Sequence, residues 1–547
     1  YTPSGRIGIR TGRWTLTASG SGSFTPVAES RFTETREQAG QPLPFAGRSD
    51  SKSRTNYGRG HFSAVFDPTP KHTAGFDIEY TERSTHMPTL SRTTLGQTQS
   101  DSRYRQHMDG NTLTATANYI WKIDTLGSQF KLIADYTRYT SDGDNSYHTT
   151  TCAPGTLRDS LYESATGSVY DILTADAGLT RKLPHGLTLR AGLRYTRNDM
   201  ADKSRYAAQT QGTWLALPEY SYDQHYTEQI GAAYASLEYS AGRWELSAGL
   251  RGEYTSVASQ AFGRSYFGLF PNVSVSRALN ALRTWLLVAQ WSRNIERPAF
   301  PALNPARIRI SDYSWQSGNP SLRPTYIHRF SLTAVWKYRY TLTVGGNLHH
   351  DLIREIAHRD ATAPDAVYIR PENHYTENHW FVAASVPAKI TRWWNLSVNA
   401  VGVMQRIRLN STDSPATHYL MFADATCSFT LPAGFFAEAV YRAQSRLYSG
   451  NSEVGPRHTL SATVKKQLFG KRLTLFCTLS NITGCDWEFA SLTDGMRRTI
   501  DTGQAWSGRL WKVGAAWNFR TGKKFRARTV ESAAETQRKR LVKSTEQ

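Results

Sequence analysis

Apolar residues recur at every second position through most of the 547-residue chain. In the stretch WTLTASGSGSF, Trp14, Leu16, Ala18, Gly20, Gly22 and Phe24 share one parity. Thr15, Thr17, Ser19, Ser21 and Ser23 share the other. A period of two places these sets on opposite faces of a strand. One such strand suits two architectures. In a soluble sandwich the apolar face looks into a core; in a membrane barrel it looks at lipid, and the polar face lines a lumen.

Repetition along the chain separates the two. Leu113, Ala115, Ala117, Tyr119 and Trp121 alternate with Thr112, Thr114, Thr116 and Asn118. Leu187, Leu189, Ala191, Leu193 and Tyr195 alternate with Thr188, Arg190, Gly192 and Arg194. Trp244, Leu246, Ala248, Leu250, Gly252 and Tyr254 alternate with Glu245, Ser247, Arg251 and Glu253. The last unit is Trp511, Val513, Ala515, Trp517 and Phe519. The pattern predicts about 21 strands, with about ten pairs joined by turns of a few residues. Between the pairs lie long polar segments at 26–55, 85–111, 140–168, 198–228, 295–326, 351–377 and 482–507, read here as loops. Short turns at one end and long loops at the other are the asymmetry of an outer-membrane barrel. Soluble sandwiches seldom carry so many long loops at one end.

Strand length agrees. About ten residues at ~3.3 Å each, tilted about 45°, cross a hydrocarbon layer of about 25 Å. The aromatics at the ends of such a strand then sit at the two lipid–water interfaces. Charged residues on the second face, such as Arg190, Arg194, Glu245 and Arg251, require a lumen. The fold class expected is all-β: a transmembrane antiparallel β-barrel over residues 1–520. The final strand lacks a partner, so an even-stranded barrel needs one more strand before Tyr1, for a total of about 22. That is the size class of plugged outer-membrane transporters. The chain opens at Tyr1 already in a strand pattern, which predicts that it is part of something longer.

Composition removes other classes. Mean hydropathy is −0.51, and no run of about 18 apolar residues offers a membrane helix. The net charge of +20 is spread along the whole length rather than gathered into one patch, which argues against nucleic acid. Basic residues suit anionic lipid head groups instead. None of the four cysteines forms a CxxC pair, so a zinc site is not expected; Cys477 and Cys485 could bridge a loop. There is no HExxH, Walker loop or GxSxG. His349 and His350 are adjacent, so in a strand their rings point to opposite faces and cannot chelate together. No catalytic set, metal site or cofactor is read from the sequence. Trp214, Tyr220, Tyr222, Tyr226, Tyr313 and Trp315 fall in long polar segments; there they can either stack on a ligand or pack the loops against each other. Residues 521–547 are polar, have lost the alternation, and are expected to form a periplasmic tail.

Residues 291–330 read WSRNIERPAFPALNPARIRISDYSWQSGNPSLRPTYIHRF. Arg297-Pro298 at a strand end, then Gly318, Asn319, Pro320, Leu322 and Pro324 opening the next strand, resemble TonB-dependent receptors, particularly the Bacteroidetes-type outer-membrane barrel family. The stretches Tyr266–Ser276 and Leu479–Gly484 and the basic segment GKKFRAR fit as well. Read locally, Gly, Asn and two prolines make a rigid turn into a strand, so these residues are expected to be structural. The resemblance implies a location in the bacterial outer membrane, among lipid and lipopolysaccharide. It implies a receptor without covalent chemistry that captures a nutrient in its extracellular loops. Import would be driven by the TonB complex through an upstream segment and plug, neither of which is recognisable here. The alternative expectation is a barrel without TonB coupling: a passive pore, an adhesin or a surface anchor.

Overall fold

Strands built on a period of two can bury only one of their faces against a given surface. The computed structural model covers residues 1–547 except 39, 261, 362, 364, 485–486, 505–508, 520–529 and 542–547. Its strands all join one 29-stranded sheet. Eight of them belong to the connections at one end: Ala28–Gln38, Thr213–Ala216, Ile308–Ser311, Ser314–Gln316, Leu447–Ser449, Ser452–Val454, Trp487–Thr493 and Met496–Gln504. The other 21 follow one another antiparallel from Ser4–Thr11 to Leu510–Trp517 and form the wall.

The burial pattern is inverted relative to a soluble protein. In Trp14–Phe24 the aromatic ends are exposed, whereas Thr15 and Thr17 are buried. Leu193, Leu250, Val344 and Val513 are likewise exposed, while Thr114, Thr116, Thr137, Thr174 and Thr196 are buried. An apolar surface this extensive is stable only against lipid. Aromatic rings gather at both margins of the band. At the short-turn end Trp14 stacks on Phe66 with centroids 4.4 Å apart, and Trp285 on Trp336 at 5.7 Å. At the other margin stand Phe24, Tyr80, Tyr254, Trp291 and Trp380, all exposed.

Leu250 and Arg251 show the two faces at adjacent positions. Leu250 lies between Trp244 and Tyr254, near the middle of that span, and faces outward. Arg251 faces inward and pairs with Glu253 at 2.5 Å. Leu250→Arg is therefore expected to cost about 2–4 kcal/mol, the penalty for a cation at the bilayer midplane. Guanidinium unfolding in lipid vesicles measures it; a change below about 0.5 kcal/mol, ordinary for a solvated surface, would mean that this face does not meet lipid. Arg194 pairs with Asp176 at 2.8 Å, and Arg190 pairs with Glu238. Glu245 is exposed beside the short turn at 242–243.

Several expected loops are strand instead. Gln41–Thr69, His72–Leu95, Thr98–Lys122, Gln129–Ala153, Thr156–Lys182 and Leu187–Thr210 run on without a break. The segments 85–111 and 140–168, and most of 26–55, thus form tall hairpins beyond the lipid band. Their polar sequences kept the β-branched and hydroxyl character of strands. Ser51 and Thr89 hydroxyls meet at 2.7 Å, and Ser102 and Thr149 at 2.9 Å, forming cross-strand ladders. Tight turns close the hairpins. At the Gln211-Gly212 turn both residues have positive φ (50° and 80°), the conformation that matches strand twist in a two-residue hairpin.

The first and last wall strands are not paired with each other among the described residues; the twenty-second strand stays an expectation. Beyond the band, Ala28–Gln38 pairs with Met496–Gln504 and joins the two ends of the sheet. A buried ion cluster sits at this seam. Arg498 Nε lies 2.9 Å from Glu34, and Arg36 Nε donates to Glu34 at 2.8 Å. Arg498 Nη2 also reaches Ser314 Oγ at 3.1 Å, tying the seam to the connection 297–324.

Candidate functional site

The connection 297–324 leaves strand Trp285–Glu296 and returns to Thr325–Trp336. Its course follows from its residues. Pro298 and Pro301 fix φ and cannot extend the sheet, and a single helical turn, Phe300–Leu303, follows Ala299. The chain then makes the small hairpin Ile308–Ser311 with Ser314–Gln316, and the latter pairs in parallel with Val367–Ile369. Gly318 and Asn319 fold back on the helical turn: Gly318 N–H donates to the Asn304 carbonyl at 2.9 Å, and Asn319 N–H to Ala302 at 2.7 Å. Asn319 Oδ1 then accepts from Ser321 N–H at 3.0 Å, a local turn closed by the side chain.

The connection turns inward. Phe300, Leu303 and Leu322 are buried with Tyr170, Ile172, Met200, Tyr226 and Val257. Those five side chains come from four consecutive wall strands, so a small apolar core forms on the inner side of the wall. Beside it lies a charged group. Arg297 Nη2 donates to Glu253 at 2.7 Å and Thr255 at 2.8 Å, and Arg297 Nε lies 3.9 Å from Glu228. All three charged side chains are less than a tenth exposed. Burial acts to lower the pKa of Arg297, but Tyr266, Glu228 and Glu253 outweigh it and hold the guanidinium above its ordinary range.

The hairpin tip is fixed separately. Asp312 accepts from Ser102 at 2.7 Å, Tyr104 at 2.7 Å, Thr149 at 3.3 Å and Arg309 at 2.6 Å. The Arg309 guanidinium stands 5.7–5.9 Å from the rings of Tyr104, Tyr147 and Tyr162, within cation–π range. A third polar centre is Glu377, fully buried, which takes bonds from Arg354 at 3.0 Å, His379 at 2.8 Å and Gln405 at 2.8 Å.

Arg297, Pro298, Gly318, Asn319, Pro320, Leu322 and Pro324 all belong to this one connection. Arg297 anchors it electrostatically, Leu322 fills its core, and Gly318 permits close approach. A β-carbon at Gly318 would overlap the Asn304 carbonyl oxygen. Gly318→Ala is accordingly expected to cost about 1–3 kcal/mol, as overpacking does, read as a lowered unfolding midpoint; an unchanged midpoint would mean that the connection sits more loosely. Sequence reading did not single out Glu228, Asp312 or Arg540. The available signal was weak: Glu228, like Glu253, is an acidic residue whose parity turns it inward.

Of the aromatics in the polar segments, most are packed. Tyr226 is in the apolar core, Tyr222 donates to Asn304 at 2.6 Å, Tyr313 meets Phe45 edge-on, and Tyr220 and Trp315 flank Arg307. Trp214 is exposed. His349 Nδ1 bonds to the Glu377 carbonyl and His350 to Asp351, so the two rings have separate partners. The bridge that Cys477 and Cys485 could form involves Cys485, which lies outside the described residues.

A sequence model of the outer membrane protein beta-barrel family matches residues 121–504. Among curated proteins none matches. Solved structures share the fold at low identity. The copper transporter OprC superposes with a TM-score of 0.53 at 11% identity, covering 88% of this chain and 81% of its own. The ferric-catecholate import receptor Fiu of E. coli K12, in its closed form, gives 0.51 at 8% identity over 88% and 82%. The FpvAI–pyocin S2 complex gives 0.52 at 10% identity over 87% and 69%.

Proposed function

The chain belongs to the outer membrane protein beta-barrel family, and we propose on that premise that it is a TonB-dependent receptor that captures a nutrient outside the cell and imports it to the periplasm. The observation that carries this reading is the inward connection 297–324. An apolar core and a buried ion group hold this connection against the inner wall, a fixed element inside the barrel that a receptor can couple to ligand binding. Polar hairpins rising beyond the lipid band offer a large surface for capture. Lipid and lipopolysaccharide are the surroundings of the outward face. The TonB complex is the energy source in this reading, and binding and release take the place of covalent chemistry.

Uptake tests it. The purified protein is equilibrated with spent culture medium, and the retained small molecule is identified by mass. Its uptake is then compared in energised cells and in cells treated with a protonophore. Uptake that collapses with the proton gradient is expected. Uptake indifferent to the protonophore would replace the receptor by a passive pore, and no retained molecule at all would favour an adhesin or surface anchor.

A further inference from the structure

Residues 530–541 do not trail away from the barrel as a solvated tail would. They lie against the inner wall and climb it. Near the short-turn end, Val530 is so close to Gly75 that a β-carbon there would come within 2.9 Å of Val530 Cγ2. Glu531 pairs with Lys131 at 2.6 Å. The Ala533 N–H donates to Asp135 Oδ2 at 2.7 Å, and Ala534 is fully buried. Further along, Asn198 Nδ2 donates to Gln537 Oε1 at 3.3 Å. At the top, Arg540 Nη1 donates to Glu228 Oε2 at 2.5 Å and Nε to the Pro298 carbonyl at 2.9 Å, with its guanidinium 4.2 Å over the Phe300 ring. Gly75, Lys131, Asn198 and Glu228 lie on four different wall strands.

We propose that Lys131, Asp135, Asn198 and Glu228 form a binding site for a polypeptide segment on the inner wall, with residues 530–541 as its occupant, and that this segment is a bolt holding the connection 297–324 closed. Arg540 makes the bolt. It grips the wall through Glu228 and the connection through Pro298 and Phe300 at once. A buried arginine tolerates this position only because a carboxylate, a carbonyl and a ring face each meet it. Withdrawal of the segment frees Pro298 and Phe300 from their tie to Glu228, leaving Arg297 as the charged anchor.

Two measurements on the full chain test this, one in outer-membrane vesicles and one in planar bilayers. A carbodiimide joins a carboxylate and an amine already in contact, so the wild-type protein is expected to yield a Lys131–Glu531 amide, mapped by mass spectrometry. Arg540→Glu places a carboxylate against Glu228 and is expected to lower that yield about ten-fold, the weight of one charge-assisted hydrogen bond, and to raise single-channel conductance in planar bilayers. Arg540→Glu combined with Glu228→Arg restores opposite charges and is expected to recover both. No cross-link in the wild type, or an unchanged yield in Arg540→Glu, overturns the binding site. A lowered yield without a conductance change overturns the bolt. Heat-modifiable gel mobility checks that each variant is folded, and the charge swap stands in should the single variant fail. None of these readouts involves nutrient uptake, so failure here is distinct from failure of the receptor reading.

Discussion

Arg297→Ala is expected to destabilise the barrel by about 3 kcal/mol, the lower end of the penalty for breaking a buried ion pair. The loss comes mostly from the carboxylates left behind. Glu253 loses its 2.7 Å donor, and Glu228 loses a neighbouring cation. The lower end applies because neither is abandoned: Arg251 stays 2.5 Å from Glu253, and Arg540 2.5 Å from Glu228. Arg297→Lys should fall between, since an ammonium keeps the charge but cannot reach Glu253 and Thr255 with the same planar fork. Guanidinium unfolding in vesicles measures the loss, and protease sensitivity of 297–324 reports whether the connection is released. A loss under about 1 kcal/mol, typical of exposed pairs, would show that the group is solvated.

Phe300→Ala should cost about as much or more, roughly 3–5 kcal/mol, the usual range for emptying a buried aromatic site. Phe300 is fully enclosed, packs edge-on against Tyr170 at 5.7 Å, and supports the Arg540 guanidinium. Its removal leaves a cavity lined by strand side chains that a sheet cannot collapse to fill. The same unfolding experiment reads it, and a loss near zero would mean that the helical turn does not dock inside the wall. Arg297 and Phe300 secure one connection, so the double variant should lose less than the sum of the single losses.

Much of the wall was legible in the sequence, because a lipid-facing strand writes its orientation directly into residue parity. The exposed aromatics of Trp14–Phe24 and the buried Thr15 and Thr17 lie where period two puts them. The polar segments 85–111 and 140–168 were misread as loops because they lack an apolar face. Above the lipid band a strand needs none: cross-strand bonds such as Ser51 with Thr89 and a tight turn suffice. The resemblance carried by Arg297 and Gly318–Pro324 singled out one segment. It did not say that the segment turns inward, since turn chemistry is the same on either side of a wall.

The sequence by itself determined the strand period, the outward apolar face and the asymmetry of the two ends, all of which are local consequences of which residues alternate. Only the tertiary structure decided what lies within the wall. Glu228 and Arg540 are separated by 312 residues, and Glu34 and Arg498 by 464. No local pattern couples such pairs; the curvature of the sheet returns Arg498 to Glu34 near the start of the chain, the segment 530–541 runs back along the inner wall to Glu228, and burial then makes each charge require the other.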